Sequence, residues 1–139
     1  MVFGALYGVD YYSNYKIYSQ ERANEKYAKD LEKQYMEDTY GGKTPEETLA
    51  LFIDALKKGD TDLAAKYVVI DEQGKVRADL LQAKTTGNLN KVIERLGLLK
   101  KSKAETNEAS FVIFGEDHIV KYQILLGKNP NSVWKILEL

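Results

Sequence analysis

The chain has no cysteine and a single histidine, His118. The first absence excludes disulfides, thiolate metal sites and cysteine nucleophiles together. The second excludes a multi-histidine metal centre, and the carboxylates show no clustering suited to an oxygen-ligand site. No metal or other cofactor is expected. Charge of one sign is also lacking: 20 Lys and Arg stand against 21 Asp and Glu, a formal net charge of -1. Residues 1–43 carry 6 basic and 7 acidic side chains, and the remainder 14 of each. Neutralising phosphates needs a concentration of Lys and Arg, so nucleic acid is not an expected partner. "GGK" and "TTGN" are too short for a phosphate-binding loop and lack its strand-turn-helix setting. There is no serine elbow and no zinc signature. The apolar opening, Met1 to Val9, falls well short of the about 20 residues a spanning helix needs. It also lacks the basic start and small-residue cleavage site of a signal peptide.

What is present suits one ordinary domain with a real core: 139 residues, 44% hydrophobic and 29% charged. Its tyrosines are uneven, with eight of ten in the first forty residues. Tyr7, Tyr11, Tyr15 and Tyr18 recur at helical spacing. Two readings stay open for this segment. Tyrosines gather where a spanning helix leaves the bilayer, which implies membrane contact through residues 1–18 and an anchored, extracytoplasmic protein. Alternatively, a soluble amphipathic helix docks its tyrosines on the domain or on a second copy, in a cytoplasmic protein. Residues 19–38 are rich in helix formers, with Glu25–Lys29, Lys26–Asp30 and Lys33–Glu37 four apart. Their apolar stripe is only Tyr27, Leu31 and Tyr35, which suits a solvated spacer or a dimerising helix. "TYGGK" (39–43) is expected to end the helix and act as a hinge. The division is therefore residues 1–43, a tyrosine-rich helical segment, and 44–139, the domain proper.

"TPEE" is a helix start: Thr44 caps, Pro45 fits the first turn and Glu47 completes a capping box. Leu49, Phe52, Ile53 and Leu56 share one face, Gly59 stops the helix, and Asp60 caps a second. "DEQGK" (71–75) reads as a turn. Leu80, Leu81 and Ala83 suggest a helical turn or two, with a break at 85–88 and Thr86 or Asn88 as the next cap. Leu89, Val92, Ile93 and Leu96 form a further helical face ending at Gly97. The period then changes. Residues 108–139 read as three strands joined by turns at Gly115-Glu116-Asp117 and at 128–132, with "KKSKAETN" (100–107) a polar approach or edge strand. Val120, Tyr122, Ile124 and Leu126 share one strand face, and Trp134 and Ile136 alternate with Lys135. Helices first and a meander afterwards predict an α+β domain: helices packed on a curved antiparallel sheet, preceded by a separate N-terminal helix.

The helix "TPEETLALFIDALKKGDTDLAAKY", the short helices after it and strands ending in "VWKILEL" resemble the nuclear-transport-factor-2-like superfamily, over about residues 44–139. The likeness is nearest to small bacterial members behind a lipoprotein or membrane anchor. It implies a cone-shaped, cystatin-like fold with a pocket at its open end, the "TPEE" helix in the concave side, and Trp134 and Ile136 near it. The fold hosts isomerases, dehydratases, transport factors and accessory domains, so function rests on the site.

For catalysis by proton transfer the candidates are Asp117, His118 and Tyr122. Asp117 and His118 stand in a hairpin turn, which accounts for them without catalysis, and Asp54 lies off the apolar stripe of its helix. For ligand binding the candidates are Phe52, Tyr67, Tyr122 and Trp134, which core packing also explains. Three functions remain: a non-catalytic accessory domain binding a small apolar ligand or a protein partner, a small acid-base enzyme, or a homodimerising structural domain.

Overall fold

The computed structural model describes residues 11–139, with side chains from residue 23 onward. Met1 to Val9, Tyr7 and the side chains of Tyr11, Tyr15 and Tyr18 lie outside the described parts, and with them the readings placed on residues 1–18. Helix α1 (Tyr11–Glu37) runs unbroken for 27 residues. Among the described residues no helix is long and apolar enough to cross a membrane. Contacts divide the chain into Met1–Gln34 and a compact unit, Tyr35–Leu139, so the last turn of α1 and the "TYGGK" segment belong with the domain.

Within the compact unit the helices follow their caps. In α2 (Pro45–Lys57) the Thr44 side chain accepts from Glu47 N at 3.1 Å. The Glu47 carboxylate answers by accepting from Lys43 N at 2.8 Å, one position before the cap. Leu49, Phe52 and Leu56 are buried and Ile53 is partly so, while Asp54 is exposed. Gly59 takes φ +72°, a conformation that costs glycine little, and Asp60 caps α3 (Thr61–Lys66) by accepting from Leu63 N at 3.0 Å.

The expected turn at 71–75 is helical instead. A 3-10 turn (Ile70–Glu72) runs directly into α4 (Gln73–Thr85). Gln73 Nε2 donates to Val68 O at 2.9 Å and anchors the first turn. The helix buries only Val76 and Leu80, so its periodic signal is thin, and Leu81 is exposed. Asn88 stands at the cap position of α5 (Leu89–Gly97) without a capping bond; its amide donates to Thr86 Oγ1 at 3.0 Å.

The sheet is antiparallel, four-stranded and open, in the order β1-β2-β3-β4: β1 (Lys100–Ala104), β2 (Glu108–Phe114), β3 (Val120–Lys128) and β4 (Trp134–Glu138). Its register shifts once in each ladder, the irregularity that bends strands. The protein is thus α+β, with helices packed on this sheet. "KKSKA" is the free edge, short and lysine-rich, which discourages pairing with another chain.

The β4 edge is covered by the chain itself. Trp134 N donates to Gly42 O at 3.0 Å, and Thr48 Oγ1 donates to Trp134 O at 2.9 Å. Ile136 N donates to Tyr67 O at 3.0 Å, and its carbonyl accepts from Val69 N at 2.8 Å. Gly41 and Gly42 therefore act as close-packing residues and not as a hinge: a Cβ on Gly41 would stand 2.3 Å from Trp134 O. The core joins Leu49, Phe52 and Leu56 of α2 to Ile124, Leu126, Trp134 and Ile136 of the sheet.

Candidate functional site

An open cavity of about 660 Å³ lies between α4, α5 and the sheet. Its floor is Phe52, Val68, Val76, Leu80 and Leu96, all buried members of the core. It exists because α4 carries a narrow apolar stripe: Val76 and Leu80 reach the core, while Glu72, Lys75 and Asp79 on the same side stay exposed at the rim. Glu138 adds a third carboxylate from β4. The volume falls in the range of small-molecule sites, which pair an apolar lining with a few polar groups.

Tyr122 of β3 supplies the wall. Burial raises its phenol above the ordinary range, against the opposing pull of Arg95, whose guanidinium carbon sits 5.7 Å from the ring centre. Among the described residues its hydroxyl has no hydrogen-bond partner, so it remains a neutral group available to a guest.

Of the sequence candidates, Phe52 and Tyr122 line this cavity, and Tyr67 and Trp134 do not. Tyr67 is core; its ring meets Tyr40 edge-on at 6.3 Å. Trp134, 5% exposed, is held by its backbone at the covered edge of β4. Asp117 and His118 sit in the β2–β3 turn, away from the cavity lining. Asp117 accepts from Ile119 N and Lys121 Nζ, both at 3.1 Å, bonds that lower its carboxyl below the usual range, the backbone bond first. His118 is exposed and holds φ +62°. The structure does not bring Asp117, His118 and Tyr122 to one place.

A second polar centre has no counterpart in the sequence reading. Lys135 lies between Trp134 and Ile136 yet is 0% exposed. Its Nζ donates to Tyr40 O at 2.7 Å and to Lys66 O, the last residue of α3, where the helix dipole favours a cation. Asp38 Oδ2 stands 2.7 Å away, an ion-pair contact without the alignment of a hydrogen bond. Asn131 Nδ2 donates to Asp38 O at 2.6 Å, tying the same segment to the β3–β4 turn. Burial lowers the pKa of the Lys135 ammonium and Asp38 opposes the shift. With two N–H groups bonded to carbonyls, a carboxylate beside it and no solvent access, this lysine is a structural clip joining the 38–40 segment, α3 and β4.

The acidic rim and the clip were both missed. Their faint signals are the carboxylates at 72 and 79 flanking the apolar stripe of α4, and a lysine inside the otherwise apolar run "VWKIL", which marks a strand buried on both faces. Among the described residues, no group of three or more metal-ligating side chains occurs. Compared with protein families, with curated proteins and with solved structures, this chain matches none.

Proposed function

We propose that the Tyr35–Leu139 unit is a non-catalytic binding module that takes a small apolar ligand into the cavity beneath α4. The observation that carries this reading is an apolar floor open to solvent, with its carboxylates held at the exposed rim. Proton-transfer catalysis needs a base within hydrogen-bond reach of the reacting atom. The neutral Tyr122 phenol stands there without Asp117 or His118. The nuclear-transport-factor-2-like assignment belongs to the same proposal, supported by the order of capped helices before an antiparallel meander. Membership would make this cavity the mouth of the cone.

The test is an amide-resolved NMR titration of the full chain with 1-octanol. Saturable shifts at Val76, Leu80 and Leu96 are expected. Ala83→Trp, which fills the cavity from a partly exposed position, should weaken binding at least about tenfold while leaving the spectrum folded. Shifts that never saturate, or that persist unchanged in A83W, would end the reading.

A further inference from the structure

We infer that the guest of this cavity is a cationic amphiphile, with its alkyl part on the floor and its positive group at the rim. This rests on the binding reading above and adds the ligand's charge. Glu72 and Asp79 come to the rim from the helical side, and Glu138 comes from β4. Among the described residues none of the three makes an ion pair. Lys75 is the single cation in the lining, so the mouth holds a formal excess of two negative charges. Arg95 approaches Tyr122 from α5 but does not line the cavity.

The whole chain is nearly neutral, so this local excess reflects placement and not composition. A carboxylate-bearing guest would meet repulsion at the mouth, and a neutral one would gain nothing from it. A guest with an ammonium head gains both apolar burial and attraction from two sides. The attraction is strengthened where low-dielectric walls focus the field. Two unit charges within about 8 Å of the ammonium, in a largely aqueous dielectric, correspond to about a fivefold gain in affinity.

The test compares 1-octanol, octanoate and octyltrimethylammonium on the full chain by the same titration. The quaternary head keeps its charge at every pH. Octyltrimethylammonium is expected to bind about fivefold tighter than octanol, with octanoate weakest, and the preference should collapse near 1 M salt, where screening acts within about 3 Å. The double variant E72Q/D79N, altered only at exposed positions, leaves Glu138 and Lys75 in balance and should lose the preference for the cation over octanol. Equal affinities for the alcohol and the cation, or tightest binding of octanoate, would overturn the inference and leave the cavity reading standing. Binding of none of the three would overturn both.

Discussion

Replacing Lys135 by methionine keeps most of the side chain's length and removes its charge. The perturbation is severe because of what stays behind. The Asp38 side chain is 6% exposed and would lose its counter-ion, while Tyr40 O would lose a donor and Lys66 O would keep only the long bond from Gln73 Nε2 at 3.5 Å. Removing one partner of a buried pair typically costs about 3–5 kcal/mol, a large part of the about 5–15 kcal/mol that holds a domain together. With a urea slope of about 1.5 kcal/mol/M, the midpoint should fall by about 2–3 M at unchanged slope. Trp134, the only tryptophan and the neighbour of the substituted residue, reports the transition by fluorescence. A pH series adds a second arm. Because burial lowers the folded-state pKa of Lys135 below its ordinary 10.5, the unfolded chain binds the proton more tightly. The contribution of this group is therefore smallest below the folded pKa and recovers as pH rises toward 10.5. The stability gap between wild type and K135M should widen on the alkaline side. A midpoint change under about 0.5 M would refute the clip, and a gap that narrows with rising pH would refute the dominance of burial in the lysine's titration.

Two further changes test the fold locally. His118 and Ser132 hold φ +62° and +69° in the β2–β3 and β3–β4 turns, where a side chain strains the backbone and glycine does not. His118→Gly and Ser132→Gly should each stabilise by about 0.5–1 kcal/mol and add in the double variant, as read from urea midpoints. Thr48, 0% exposed, accepts from Gly42 N at 2.9 Å and donates to Trp134 O at 2.9 Å. Thr48→Val keeps the shape and orphans both groups, so a loss of about 1–3 kcal/mol is expected; an unchanged midpoint would deny this bridge any role in seating the edge of β4.

The elements whose instructions lie within a few residues were legible. Thr44, Pro45 and Glu47 write the start of α2, Gly59 writes its end, and Asp60 writes the next start. The strand alternation of β3 and the two hairpin turns are equally local. Where the periodic signal thinned, the reading failed: α4 buries only Val76 and Leu80, and its first turn is secured by Gln73 reaching back to Val68 O.

Tertiary structure alone decided the site and the clip. Phe52 and Tyr122 line one cavity, while Tyr67 and Trp134, equally aromatic, go to the core. That sorting depends on which faces of α2, α4 and the sheet meet, and no local period encodes it. Lys135 is a charged residue in sequence and the most enclosed cation among the described residues in space, because Tyr40 O, Lys66 O and Asp38 converge on it from segments 95, 69 and 97 residues away (135 minus 40, 66 and 38). Local sequence determined where helices and strands begin and end, since caps, turns and periodicity act over a few residues. The fate of a buried charge and the electrostatic sign of a cavity rim depend on desolvation and on partners distant in the chain, which only the packed structure brings together.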